Sequence, residues 1–357
     1  MSDFNEKSHR AVKISIDLAA LQHNFQQVKQ HATNSQIMPV IKANAYGHGL
    51  LQVADALIDA DGFGVAQMAE ALALREHGIE KPISVFQGFL NAKQLAQCLQ
   101  FNLRPAIHQQ WQLDWLKKNT VSTSIDAWLK INTGMGRLGF QPTDVDAAYQ
   151  QLENNQSINQ IGFMMHFANA DEASHVSNLQ QLERFKNITD NYENAVTSVS
   201  NSAAILADLL PQQNWLRPGI MLYGASPFAD KSAAQLHLKP VMSLHAELIA
   251  INQLQKGQAV GYGGDWVCPQ DMPVGIVNIG YGDGYPRHAV EAPIAVNGQK
   301  CKIIGRVSMD SVAVDLRNIE CNSGDEVECW GRHISVDEVA ASAQTIAYEL
   351  LCNVGRY

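Results

Sequence analysis

The chain has 357 residues, 46% hydrophobic and 17% charged, a length and balance that exclude a disordered chain or a one-module binding domain and point to two domains. Lysine plus arginine number 26 against 35 acidic residues, a formal net charge of -9, which excludes a dedicated nucleic-acid binder with its basic face. A small anionic ligand stays open, because one local pocket of donors suffices to hold it.

The N-terminus MSDFNEKSHR has no apolar signal core, and no stretch approaches the roughly 18 apolar residues of a membrane span. The six cysteines form no CxxC pair, so a reducing cytoplasm is the expected compartment. Asp17 is a ready N-cap for a first helix. Short β-branched runs then alternate with helix-period stretches. The strand QIMPVIK (36–42) precedes a helix over 48–60, and GFGVA (62–66) precedes one over 68–77. ISVFQ (83–87), RPAI (104–107), DAWLKIN (126–132), IGFMMHF (161–167) and VTSVS (196–200) are each followed by a helix, and WLRPG (215–219) closes the series.

About eight β/α units in series predict an α/β fold with an N-terminal (β/α)8, TIM-like barrel. A doubly wound sheet is the alternative. After Pro240 the runs become β-rich and turn-separated, which predicts a C-terminal mainly-β domain. The expected division is 1–235 and 236–357, with the first strand free to join the β domain. Ser335-x-x-Glu338 has capping-box form and predicts a terminal helix from Val336 to about Leu351.

Barrel chemistry collects at the C-terminal strand ends. Lys42 ends the first strand, Lys130 lies in the fifth, and Arg137 follows in TGMGRLG. His166 ends the sixth, Asn201 and Ser202 follow the seventh, and Arg217 and Gly219 end the eighth. A lysine in an apolar setting loses its charge readily and can form a Schiff base with an aldehyde; a snorkelling surface lysine is the plainer reading. The loops after the last two strands are the usual phosphate cradle of such barrels, although Asn and Ser also serve as ordinary helix caps. A Schiff-base lysine and a phosphate cradle on one rim imply pyridoxal phosphate, with Arg217 placed to tune its ring nitrogen. GMGRLG matches a dinucleotide motif, but Pro142 and its place in the fifth unit favour a turn carrying Arg137. GYGDGY (280–285) reads as a loop. The histidines form no HExxH or H-x-H pair, so no metal site is expected; His166 is as readily a core histidine as a site residue.

VIKANAYGHG, KINTGMGRLGF, MMHFANAD, SNSAA, LRPGIMLYG, VGYGGDW, IGYGDGYPR and GRVSMDS, in this order, together resemble the bacterial alanine racemases. The resemblance implies a pyridoxal 5'-phosphate enzyme that interconverts L- and D-alanine by a two-base mechanism through the external aldimine, as a homodimer with shared active sites. D-Alanine would serve peptidoglycan synthesis or alanine catabolism. Lys42 corresponds to the Schiff-base lysine and the base on the D-alanine side. Tyr262, from the other subunit, corresponds to the base on the L-alanine side. Tyr46, Ser202, Gly219 and Ile220 resemble the phosphate contacts, beside Asn201, and Tyr357 falls near another. Arg217 resembles the ring-nitrogen partner and His166 packs near the ring. Arg137 and the partner's Met309 resemble the holders of the substrate carboxylate, and the partner's Tyr281 an entrance residue. Lys130 aligns with a lysine that is carbamylated in some members. Asn132 and Ser308 stand where some members have Asp and Cys.

Tyrosine normally loses its proton near pH 10, so Tyr262 needs a cation nearby, either Arg217 or a protonated His166. A broad-specificity amino-acid racemase is the nearest alternative. Basic amino-acid decarboxylases share the plan but place an acid at the ring nitrogen. A non-catalytic pyridoxal-phosphate-binding barrel would lack the β domain.

Overall fold

The computed structural model describes residues 12–32, 34–119, 123–209 and 213–354. Eight short parallel strands form the barrel: β2 (Gln36–Ile37), β3 (Phe63–Val65), β4 (Ile83–Val85), β5 (Arg104–Ile107), β6 (Ile125–Lys130), β7 (Ile158–Met164), β8 (Val196–Ser198) and β9 (Trp215–Leu216). They follow β1 (Lys13–Ile16) and a helix, Leu18–His31, capped by the Asp17 carboxylate. The spatial order is β2-β9-β8-β7-β6-β5-β4-β3. A Val40–Gly64 bridge joins the first strand to the second and closes the ring. This is the barrel, not the doubly wound alternative.

The lumen is packed, as a ring this small must be. Met38, Ala106, Trp128, Met164 and Trp215 form their own buried cluster inside it. Trp128 donates its indole N–H to Ser84 Oγ at 2.8 Å, which satisfies the one polar atom of a fully buried ring. The Arg104 guanidinium lies 5.3 Å from both indole rings and pairs with Asp126 at 2.6 Å. Polar chemistry is thereby confined to the rim beyond Met164.

The remaining strands are β10 (Met242–Leu254), β11 (Ala259–Val260), β12 (Trp266–Val267), β13 (Met272–Val277), β14 (Pro293–Val296), β15 (Gln299–Ile304), β16 (Val312–Asp315) and β17 (Glu326–Trp330). The larger sheet runs β1-β10-β13-β16-β15-β14-β17, antiparallel throughout, and β17 pairs back onto β10. The first strand therefore belongs to this sheet, with Ile16 opposite Met242. β11 and β12 form a separate small hairpin.

Two expectations change. The single terminal helix is two, Val336–Ser342 and Ala347–Asn353, because Gln344 takes a left-handed φ of 53° that ends the first. The first barrel strand is far shorter than 36–42, since Pro39 has no N–H to offer a ladder, and Lys42 lies beyond it. Among the described residues, no helix is long and apolar enough to cross a membrane.

Candidate active site

Lys42 opens a turn of unusual hand. Ala43, Asn44, Ala45 and Tyr46 all have φ near +54°, a left-handed conformation that costs roughly 1–2 kcal/mol per non-glycine residue. Local bonds hold it. Ala45 N donates to Ile41 O at 2.9 Å, Gly47 N to Ala43 O at 3.1 Å, and Leu50 N to the Asn44 carboxamide at 2.8 Å. His48, buried and pushed by desolvation to a pKa of about 4, lies 2.9 Å from Tyr46 O through Nδ1. The turn presents Lys42 and Tyr46 to one rim cavity of about 150 Å³.

That cavity is lined by Lys42, Tyr46, Lys130, Arg137, His166, Asn201, Ser202, Arg217, Gly219 and Ile220. It brings together ten residues singled out from the sequence. Arg217 is its anchor. Its guanidinium donates to Ser198 Oγ at 2.6 Å, Met165 O at 2.7 Å and Val199 O at 3.1 Å, and lies 3.4 Å from His166 Nδ1. All three acceptors are neutral, and burial lowers its pKa to about 9, so it stays charged at neutral pH. Burial first, then the charges of Arg217, Lys130, Arg137 and Lys42, hold His166 well below its ordinary value. His166 is thus neutral, and Arg217 rather than a protonated His166 is the fixed cation.

The two lysines respond to the same crowding. Burial, and then Arg137, lower the pKa of Lys42. Burial, then Arg217, Arg137 and Lys42, bring Lys130 down to about 7. Ser202 Oγ accepts from Gly219 N at 2.8 Å and Met221 N at 3.3 Å, which leaves its hydroxyl hydrogen to donate to an anion. The Asn201 side chain caps its own helix through Ala204 N at 3.0 Å, the ordinary role weighed for it.

Arg137 sits on a loop that folds back onto β6 through Phe140 N to Lys130 O at 2.9 Å. Asn132 Oδ1 accepts from Gly136 N at 2.9 Å, and Arg184 donates to Thr133 O at 2.8 Å. Gln181, fully buried, ties this loop to the next strand end. Its Nε2 donates to Thr133 Oγ1 at 3.1 Å and to His166 O at 3.0 Å, and its Oε1 accepts from Ala168 N at 2.9 Å. Sequence reading missed Gln181. It also missed Phe86 and Tyr348, which line the cavity; Tyr348 lies 5.9 Å from the Tyr46 ring.

Three predicted residues lie elsewhere. Tyr262, in the β11–β12 turn, is 66% exposed, Met309 52% and Tyr281 36%, and none lines the cavity of its own chain. Their loops adjoin. Tyr281 N donates to Ser308 O at 3.1 Å and Gly282 N to Met309 O at 2.8 Å. Arg306, from the Met309 loop, abuts Gly263 beside Tyr262. Tyr357 lies outside the described residues.

A closed parallel barrel with crowded lysines, a buried arginine and a hydroxyl cradle at its rim is an enzyme that holds an anionic group against a reactive amine. Residues 16–227 match the family model of the alanine racemase N-terminal domain, and residues 241–357 that of the C-terminal domain. The chain is 46% identical over 348 residues to an alanine racemase of Coxiella burnetii, covering 95% of each chain. It is 43% identical over 345 residues to that of Vibrio cholerae, covering 96% of this chain and 95% of the other. The biosynthetic alanine racemase of Pseudomonas aeruginosa superposes with a TM-score of 0.94 at 41% identity, covering 97% of both chains. The Acinetobacter baumannii enzyme does so at 0.92 and 42%, with the same coverage.

The chain belongs to the alanine racemase family, pyridoxal-phosphate isomerases that interconvert L- and D-alanine. The rim residues fit that cofactor. A Cβ at Gly219 would stand 2.7 Å from Tyr46 Oη and 3.8 Å from Ser202 Oγ, so the bare backbone there keeps open a space faced by two hydroxyls. The lowered Lys42 amine suits an aldehyde, and the buried Arg217 charge suits a ring nitrogen that is to stay unprotonated.

Proposed function

We propose that Lys42 and Tyr262 divide the racemisation of alanine, one on each face of the substrate, with Tyr262 supplied by a second copy of the chain. The observation that carries this is the split just described. Lys42 lies in the cationic cavity, while Tyr262, Met309 and Tyr281 stand together, exposed, on the β domain. A homodimer that sets the second group over the partner's cavity would complete each site.

Bound pyridoxal phosphate supplies the electron sink that makes the substrate α-hydrogen acidic. The protein's share is to position and to move protons. Lys42 would hold the cofactor through its amine, and that amine is the group that would exchange the α-proton on the D-alanine side. The partner's Tyr262 exchanges it on the L-alanine side. Tyr46, Ser202, Asn201, Gly219 and Ile220, which line the cavity, would hold the phosphate. Arg217 would donate a hydrogen bond to the ring nitrogen without surrendering a proton, which would weaken the ring's pull and disfavour side reactions. Neutral His166 would pack beside the ring. Arg137 and the partner's Met309 backbone receive the substrate carboxylate, and the partner's Tyr281 narrows the entrance. Lys130, with a pKa of about 7, offers the neutral amine that carbon dioxide needs to form a carbamate next to Arg137.

The product serves peptidoglycan synthesis or alanine catabolism, and the enzyme works in a reducing cytoplasm, in keeping with cysteines that form no CxxC pair. Lys42→Ala is the direct test. It should abolish the cofactor-linked absorbance and lower L-alanine racemisation by more than about 10³-fold. Full activity in that variant, or equal rates on a panel of other amino acids, would overturn the assignment.

A further inference from the structure

Three successive barrel helices place a glutamate or glutamine at their third position. They are Met68–Glu76 with Glu70, Ala92–Gln100 with Gln94, and Gln110–Lys118 with Gln112. Each side-chain oxygen turns back to cap amides before the helix. Gln94 Oε1 accepts from Leu90 N at 2.8 Å. Gln112 Oε1 accepts from His108 N at 2.7 Å and Gln109 N at 3.2 Å. Glu70 Oε2 accepts from Ala66 N and Gln67 N, both at 3.0 Å.

The second atoms of Gln112 and Glu70 meet different surroundings. Gln112 Nε2 faces carbonyls, donating to Phe89 O at 3.3 Å and Ala106 O at 3.4 Å. Glu70 Oε1 faces a donor instead, accepting from Ala43 N at 2.5 Å. An amide would serve the cap equally well but would turn N–H toward N–H at Ala43. Only a carboxylate has acceptors on both sides. Ala43 is the first residue of the left-handed turn and the immediate neighbour of Lys42.

We propose that Glu70 is a positioning residue for Lys42: its carboxylate pins the Ala43 amide and so fixes the turn from which the lysine reaches the cavity. This rests on Lys42 as the cofactor-bearing lysine. The negative charge of Glu70 also favours the charged form of Lys42, against burial and Arg137.

The test separates capping from positioning. In the holoenzyme, Glu70→Gln keeps the cap and should melt with the parent. It should nonetheless speed amide exchange across residues 43–47 about fivefold and lower kcat more than it raises KM. Glu70→Ala loses both functions and should show the faster exchange with a lowered melting temperature. Glu338→Gln, in the distant Ser335 cap, should change neither exchange at 43–47 nor kcat. The proposal fails if Glu70→Gln leaves exchange at 43–47 at the parent rate, or if it melts as low as Glu70→Ala, since capping alone would then explain the residue. Lys42→Ala keeps the two claims apart. If that variant retained the cofactor-linked absorbance, the role of Lys42 would fail while exchange at Ala43 still reported on Glu70.

Discussion

The barrel rim and the exposed end of the β domain handle functional residues in opposite ways. At the rim, Arg217 and Lys130 are buried in their own chain, and their charges are felt as lowered pKa values. At the β-domain end, Tyr262 and Met309 are more than half exposed and make no part of the cavity. The difference is one of completeness. The chain alone desolvates its cations and shapes a cradle for a phosphate, but leaves an aromatic hydroxyl and an apolar side chain facing outward. Isolated exposed apolar residues are ordinary on a protein surface. Three on adjoining loops, all carried by the one family resemblance, mark a surface that another copy is proposed to cover.

Breaking the exposed side should have a large effect on turnover. Tyr262→Phe is expected to reduce racemisation about 10²–10⁴-fold, more severely for proton abstraction from L-alanine than from D-alanine in solvent deuterium exchange. Its stability should move by no more than about 0.5 kcal/mol, because the hydroxyl is not part of the chain's own core. Mixing Tyr262→Phe with Lys42→Ala protomers then tests the shared site. Random reassociation should restore about a quarter of the sites, whereas no recovery would place both groups in one chain.

The rim can be perturbed more gently through Gln181. Gln181→Leu removes the buried bridge between the Arg137 loop and the His166 strand end and leaves their polar atoms unpaired. A roughly tenfold rise in KM for alanine, with kcat nearly kept, is expected in steady-state assays. A loss confined to kcat would show that Gln181 does not act through Arg137.

A further test separates the regions by pH. Lys130 has a pKa of about 7 in the folded chain against its ordinary 10.5, so the unfolded chain binds more protons between those values. Stability therefore rises as pH climbs from about 7 to about 10.5 and is level below 7, where Lys130 is charged in both the folded and the unfolded chain. Lys130→Met should flatten that slope in urea unfolding curves recorded in carbon-dioxide-free buffer. An unchanged slope would mean that Lys130 is solvated.

Much of this was legible in sequence because its signals are local. RPAI at 104–107 is a strand with those same bounds, since apolar periodicity and flanking turns decide it. The Asp17 and Ser335 caps hold as read. The rim residues lie at strand ends, and strand order places them together. What escaped depends on partners distant in sequence. Gln181 matters because of Thr133 and His166, and nothing in its helix announces that. Tyr348 lines the cavity from the second of two helices where the sequence reads one. Lys42 reads as the end of a strand, yet ANAY has the composition of an ordinary right-handed turn; its left-handed torsions are accompanied by bonds to Glu70 and His48, outside the four residues themselves. The hydroxyls of Tyr46 and Ser202 were found by motif, but the space between them is visible only as the missing Cβ of Gly219.

The left-handed turn has a consequence in stereochemistry. Ala43 and Ala45 hold torsions near φ +54° and ψ +52°, which are the preferred helical torsions of the mirror-image amino acid. A semisynthetic chain carrying D-alanine at these two positions would meet no Cβ–carbonyl clash where the L-residues do, a relief of roughly 1–2 kcal/mol at each. In a family whose enzymes make D-alanine, the backbone beside the reactive lysine is already folded in that residue's own hand.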